Sequence, residues 1–397
     1  MGILVKKQRG IFIVTGIAKL SIIAFIVALA FSSISTIWAL YLDSFVNNES
    51  LVGLISSVLA VISFLSYLIL IPIIEKSEKS KLFLFSLLIF SISYLFFSIN
   101  KNFIIFLLLA SIVTITDTIR ITSFGIIIRD KSTRKNLPRN EGIKYTFLNI
   151  AWLIGPLIAG YIAEKSGIPI VFILSSLLIF LAFVLFKISR IKDANIKKKP
   201  DINLIKNFLE FFHDKNRVMA YFISGGLSLW WGSLIYLFMP LYIIRSNLDN
   251  LWVGYFLFAI VIPLILLEYK FSRLAVKIGF KKMFMLGFLI AFLASLICFF
   301  LTNIYLILLI LTLASIGLAM IEPNSESFFF ESLATKEEEL KYYSPYNTSI
   351  EVFHFIGRIL SSLIIFIFSF KSIFLLFAFL MLALFFLSLK INSFSKA

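Results

Sequence analysis

The chain has 397 residues, 60% of them hydrophobic and only 15% charged, with a mean hydropathy of +1.01. So apolar a composition excludes a water-soluble surface wrapped around one core and assigns the chain to a bilayer. Its 37 Lys and Arg against 21 Asp and Glu give a formal charge of +16, a balance that in a soluble protein would suggest nucleic acid, so the placement of the basic residues decides its meaning.

A helix needs about 20 apolar residues to cross roughly 30 Å of hydrocarbon. Such runs fall at about 20–42, 51–74, 82–99, 103–128, 145–164, 168–189, 218–244, 251–270, 281–301, 303–323, 346–370 and 372–390. They are too long and too evenly apolar for barrel strands, so the fold class is an all-α integral membrane protein with twelve transmembrane helices. The opening "MGILVKKQRG" carries no cleavage pattern, and the first span is expected to be a retained anchor. With the N-terminus in the cytoplasm, the outer loops hold only Lys101, Lys165, Arg245 and Lys371, the spans hold Arg120 and Arg358, and the rest of the 37 basic residues lie on inner segments. That bias fixes the orientation with both termini cytoplasmic, in the cell membrane. The positive charge is then topology and contact with anionic lipid, with no nucleic acid partner. The single cysteine, Cys298, sits inside a span and makes no internal disulfide. Asp43 closes the first span at the outer face, where water reaches it easily.

The longest polar segment follows the sixth span and includes "KDANIKKKPD". It divides the chain into an N-terminal six-helix bundle (1–190), a basic cytoplasmic linker (191–216) and a C-terminal six-helix bundle (217–397). The halves repeat one another. "IWALYLDSF" followed by "LVG" matches "LFMPLYIIRS" followed by "WVG", "EKSEKSK" matches "VKIGFKK", and "NIAWLIGPLIAG" matches "EVFHFIGRILSS", pairing Gly155 with Gly357 and Pro156 with Arg358. Three matches in the same order at nearly one offset make the halves parallel repeats. Parallel six-span halves are a known plan for secondary transporters, whose halves rock around a site near mid-membrane.

On these features the chain resembles the major facilitator superfamily over nearly its whole length. The family's loop signature between helices 2 and 3 is partly met by "IPIIEKSEKSK", with Glu75 in the acidic place and Lys76 in the basic one. The second copy, "SRLAVKIGFKK", keeps Lys277, Gly279, Lys281 and Lys282 and has Val276 where the acid belongs. The family's antiporter signature in helix 5 is matched at its spacing by Gly142, Ala151, Gly155-Pro156 and Ala159-Gly160, with alanine at two glycine positions. Small residues every four positions let a neighbouring helix approach closely, and a proline permits a kink. In the family this signature accompanies proton-coupled export; a packing face with no say in direction is the plainer alternative.

Ionisable residues inside spans are costly and mark pathways by default. In "ASIVTITDTIRITSFG" of the fourth span, Asp117 and Arg120 are three apart and share a face. They lie about 21 and 26 Å from the outer end at 1.5 Å per residue. The eleventh span places Glu351, His354 and Arg358 on one face, and the tenth ends with Glu322 and Glu326. The resemblance puts helices 4 and 10 along a central cavity, flanked by helices 5 and 11. A carboxylate near a guanidinium can hold its proton in one state and release it in another. Asp117 is the first candidate proton carrier, followed by Glu351 and Glu322, with His354 as a possible relay. Arg120 and Arg358 would tune these carboxyls or hold an anionic group. Trp230, Trp231 and Tyr236 of the seventh span could stack an aromatic substrate or simply pack. Glu268, beside Lys270, reads as a side chain reaching for the inner surface.

No Gly-Lys dipeptide of a phosphate loop occurs, which excludes an ATP-driven pump of that type. The two histidines, His213 and His354, form no ligand cluster, so no metal and no cofactor are expected. The reading is a secondary active transporter and no enzyme, working by alternating access and exporting small amphiphilic or drug-like compounds in exchange for protons, as a monomer in lipid. Proton-coupled uptake of an organic anion or another metabolite, and a non-transporting receptor with a transporter fold, are the alternatives.

Overall fold

The architecture comes from a computed structural model that describes residues 5–8, 11–14, 16–130, 137–191 and 204–391. Strands β1 (Val5–Gln8) and β2 (Ile11–Val14) form an antiparallel hairpin in which Val5 faces Val14 and Gln8 faces Ile11. The basic head ahead of the first span had given no sign of this hairpin. The described elements after it are helices: α1 (Gly16–Val46), α2 (Glu49–Lys76), α3 (Lys79–Ile99), α4 (Phe103–Asp130), α5 (Leu137–Ser166), α6 (Ile168–Ile188) and the short α7 (Leu204–Phe211). The order continues with α8 (Lys215–Leu229), a π-helix (Trp230–Phe238), α9 (Met239–Arg245), α10 (Asn250–Ile278), α11 (Phe280–Phe300), α12 (Ile304–Glu331), α13 (Lys336–Ile367) and α14 (Ser372–Ser388).

Among the described residues eleven helical spans are long and apolar enough to cross a membrane, with α8, the π-helix and α9 together making one of them, Lys215–Arg245. The 17 residues of α14 extend about 26 Å at the α-helical rise, close to the hydrocarbon thickness, and complete the expected twelve. Several helices outrun their apolar cores. The polar opening of α13, "KEEELKYYSP", is helical because the Thr335 hydroxyl accepts from the Glu338 amide. Asp214, Asp249 and Asn303 cap α8, α10 and α12 in the same way. Asn47 after α1 and Asn247 after α9 take positive φ of 46° and 62°, a left-handed stop that asparagine tolerates better than most residues.

The chain divides into two compact units, Met1–Tyr41 with Leu65–Lys198, and Leu42–Phe64 with Lys199–Ala397. The C-terminal end of α1 and the first half of α2 therefore belong to the second unit. In the first unit α3 packs on α6 and α4, burying Phe83, Leu87, Phe90, Tyr94 and Phe97 along one stripe of α3. In the second, α11 packs on α12 and α14, α10 on α12, and α8 on α13. Gly287 and Gly317 bring α11 and α12 together so closely that a Cβ on either would sit 2.6 Å from the other's carbonyl oxygen. Large apolar side chains such as Ile69, Leu177, Leu266 and Phe366 stand exposed, as lipid-facing positions should.

Candidate functional site

In the first unit, the small-residue face of α5 meets α1. Ala151 and Ala159 are fully buried, and Gly155, Pro156 and Gly160 are buried with them. Gly142 lies in the same helix, with its surroundings outside the described side chains. A Cβ at Gly155 would fall 1.8 Å from the Ser32 hydroxyl oxygen. Ser32 Oγ instead donates to the Ala151 carbonyl at 3.0 Å, and Ser33 Oγ donates to the Gly155 carbonyl at 3.5 Å. The absence of side-chain bulk lets two backbones approach, and serine hydroxyls then bond across the gap. Pro156 lies inside the helix and withholds the amide that would have bonded one turn back.

One helix further on, Asp117 and Arg120 of α4 pair as their spacing predicts. Arg120 Nη2 lies 2.7 Å from Asp117 Oδ1, and Arg120 Nε donates to the same oxygen at 2.8 Å. The guanidinium also sits over the Phe31 ring of α1, 4.0 Å from its centroid, with Phe90 of α3 at 5.9 Å. Arg120 is thus held by a carboxylate and by an aromatic face, the latter through its quadrupole. Nothing in the α4 stretch itself marks the aromatic partner.

In the second unit the equivalent contact joins α13 to the seventh span. A Cβ at Gly357 would lie 2.5 Å from Ser233 Oγ and 2.7 Å from Leu229 Cδ2. Gly155 with Ser32 and Gly357 with Ser233 are the same contact made twice, at the spacing of the repeat. Here the span is a π-helix, "WWGSLIYLF", a wider turn found frequently at functional sites. Gly232 within it abuts His354: a Cβ there would be 2.0 Å from His354 Nε2. Arg358 donates from Nη2 to the Gly232 carbonyl at 3.3 Å and from Nη1 to the Ser56 carbonyl of α2 at 3.0 Å. Its Nε is buried with no partner among the described residues. Glu351 Oε2 stands 4.0 Å from His354 Nδ1, and Glu351 lies within electrostatic reach of Arg358. The three residues expected on one face of α13 therefore do gather.

Glu322 of α12 is differently placed. Its Oε2 is out of contact with solvent and has no hydrogen-bond partner among the described residues, and the same holds for Trp231 Nε1. The Trp231 indole is a neighbour of this carboxyl, and Glu268 of α10 is a second carboxylate neighbour. Tyr236 lies within reach of Glu322, and its ring is 6.1 Å from that of Trp231. Trp230 turns away, fully buried against Phe377 of α14. Glu326 accepts a hydrogen bond from the Tyr343 hydroxyl at 3.1 Å.

The loop residues sit at the helix turns. Glu75 lies in the last turn of α2, with its side chain outside those described, and Lys76 ends that helix exposed. Gly279 joins α10 to α11 as a single residue at φ 84°, a conformation that favours glycine. Lys277, Lys281 and Lys282 flank it, Lys277 and Lys282 exposed and Lys281 half-buried.

A family model described as Major Facilitator Superfamily matches residues 20–267 and 262–394. An uncharacterized MFS-type transporter of Methanocaldococcus jannaschii is 26% identical over 240 residues, which is 59% of this chain and 61% of that protein. The chain thus matches about three fifths of that relative's length. A POT family transporter solved with a thioalcohol conjugated peptide aligns with a TM-score of 0.79 at 12% identity over 96% of each chain. A nucleoside transporter aligns at 0.75 with 12% identity over 95% of this chain and 100% of its own. A bacterial homolog of the human lysosomal transporter Spinster, inward-facing and unoccupied, aligns at 0.75 with 13% identity over 96% and 98%. At such identities the likeness is one of fold.

Proposed function

Because the chain belongs to the major facilitator superfamily and is a multi-pass membrane transporter rather than an enzyme, we propose that it is a proton-coupled secondary active exporter of small amphiphilic or drug-like compounds. It works by alternating access in the cell membrane, as a monomer with both termini in the cytoplasm.

The observation that carries the proton coupling is the state of the Glu322 carboxyl, which has an enclosed oxygen with no hydrogen-bond partner among the described residues and a second carboxylate, Glu268, as neighbour. A charged carboxylate in that position is uncompensated, so it either takes a proton or is neutralised by a cation that enters. Asp117 already has Arg120 as its counter-ion, 2.7 Å away. Glu322 is accordingly the leading proton carrier, with Glu351 and His354 next and Asp117 after them. Trp231 and Tyr236 beside Glu322 offer ring faces to an aromatic or amphiphilic molecule. The export direction rests on the α5 face around Gly155 and Pro156, which matches the family's antiporter pattern. One observation favours uptake of an organic anion as a second reading: Arg358 Nε is a buried donor with no partner among the described residues, and a carboxylate would satisfy it.

The test is Glu322→Gln in purified protein reconstituted into vesicles with a trapped pH dye. Compound-driven proton movement should vanish while the thermal midpoint stays that of the parent. Unchanged proton movement would remove Glu322 from the path.

A further inference from the structure

Trp231 and Tyr236 of the seventh span stand ring beside ring, with 6.1 Å between centroids, although they are five apart in the chain. In an α-helix residues five apart are turned about 140° away from one another, so such a pair points to different sides. A π-helix bonds each carbonyl to the amide five residues on, which stacks residues five apart on one face. The stretch Trp230–Phe238 is wound in that way, and the Met239 amide that closes it donates to the Leu234 carbonyl. The ring pair next to Glu322 is therefore a product of the winding and not of the residue types alone.

The repeat-related stretch of the first unit winds differently. It carries the same contact of a serine with a glycine, Ser32 with Gly155, and lies in α1, which is α-helical throughout. Ser32 and Ser233 are separated by as many residues as Tyr41 and Tyr242, so no inserted residue forces the wider turn. What differs is the facing helix. After its glycine α5 carries Pro156, which has no donor to offer, whereas α13 carries Arg358. Arg358 Nη2 donates to the Gly232 carbonyl, inside the π stretch, at 3.3 Å, while its Nη1 is anchored on the Ser56 carbonyl at 3.0 Å. His354, one turn earlier on α13, fills the space over Gly232, where a Cβ would lie 2.0 Å from its Nε2. A charged side chain that bonds a carbonyl of the helical ladder, opposite a glycine that lets it come close, is a cause sufficient to widen the turn.

We infer that Arg358, with His354 beside it, is a positioning residue that keeps the seventh span in its π winding and so sets Trp231 and Tyr236 together next to Glu322 to receive the ring of an aromatic ligand. That the ring pair receives a transported compound rests on the carrier reading above. The pairing of the rings is a property of the resting protein and is tested without any substrate. The full chain, labelled with fluorotryptophan in lipid nanodiscs, has five tryptophans, and the fluorine line of Trp231 is the one lost in Trp231→Phe. Tyr236→Leu should shift that line in the parent, because it removes the neighbouring ring, and should shift it less than half as far in Arg358→Gln. An equal shift in both, or none in the parent, overturns the proposal. If Arg358→Gln does not fold, Gly232→Ala takes its place: its Cβ meets His354, so the turn must retreat from Arg358, and alanine favours the α winding. An equal shift overturns the proposal there as well. In the vesicle assay Arg358→Gln should raise the KM for a ring-bearing amphiphile at least threefold and leave that for an aliphatic one within twofold; equal changes in both contradict a role in placing the rings. Absence of flux for every compound would count against the carrier reading and leave the fluorine result standing.

Discussion

Replacing Gly155 by alanine adds one methyl group and sets two effects of opposite sign against each other. On helix preference alone alanine stabilises by about 1 kcal/mol. The structure predicts the reverse, because the new Cβ would lie 1.8 Å from Ser32 Oγ and 2.9 Å from Ser32 Cβ. The hydroxyl cannot simply turn aside, since it bonds the Ala151 carbonyl at 3.0 Å and the Leu29 carbonyl at 3.1 Å. Rotating it away loses an interhelical bond worth about 1 kcal/mol. Parting the helices to admit the methyl costs about 1–3 kcal/mol more. Net of the preference, Gly155→Ala should destabilise by about 1–3 kcal/mol, using the same three estimates. Thermal unfolding in detergent, followed by tryptophan fluorescence, should show a midpoint several degrees lower. Adding Ser32→Gly to Gly155→Ala should recover at least half of that loss. A midpoint equal to or above the parent's would mean that α1 and α5 do not meet at this glycine and would refute the packing argument.

Two further outcomes follow from contacts in the second unit. Arg358→Lys should lower the same midpoint, because one ammonium cannot reach both the Ser56 and Gly232 carbonyls that the guanidinium bridges; each such charge-assisted bond is worth about 1.5–3 kcal/mol, so an unchanged midpoint contradicts the bridging role. On the linker side, α7 is docked by the fully buried Phe211 and by Glu210, which accepts from Lys341 and, at 3.4 Å, from the Tyr342 hydroxyl. The hydrogen bond from Lys341 holds the Glu210 carboxyl below the usual carboxylate range. A carboxyl lowered in the folded state contributes its stabilisation in full above the usual value of about 4.3 and loses it as pH falls through the lowered one. A spin label at the exposed Leu209→Cys should therefore stay immobilised from about pH 8 to pH 5 and loosen only below about pH 4; loosening near pH 6 would show that this pair does not hold the helix.

The spans and the repeat were legible because bilayer physics writes them into composition: long apolar runs and a constant spacing between matching segments. The repeat also held more than its glycines disclosed. Ser32 and Ser233 stand at the repeat spacing, and each faces the repeat-related glycine, a match visible in the sequence once the contact is known. Asp117 with Arg120 was readable because a separation of three residues places both on one helical face. The π-helix was not readable, since its apolar residues follow no period that separates it from an α-helix. Trp230 and Trp231 are neighbours in sequence with the same chemistry, yet one is sealed against Phe377 and the other borders Glu322. Only packing separates them. Asp43 read as a hydrated helix end because nothing local marks Arg245 as its partner. Contacts between residues so far apart in the chain are fixed by the fold, and only the backbone placement of the second unit brings them together.

The most direct test of the central claim is proton movement driven by compound in sealed vesicles holding the purified protein in one orientation, with a pH dye inside and a panel of fluorescent amphiphiles outside. Under an imposed pH gradient the account predicts that at least one amphiphile moves against the proton flow, and that the exchange is lost with Glu322→Gln. Movement of compound and proton in the same direction would contradict export, and no protein-dependent movement of any compound or proton would contradict proton-coupled transport itself.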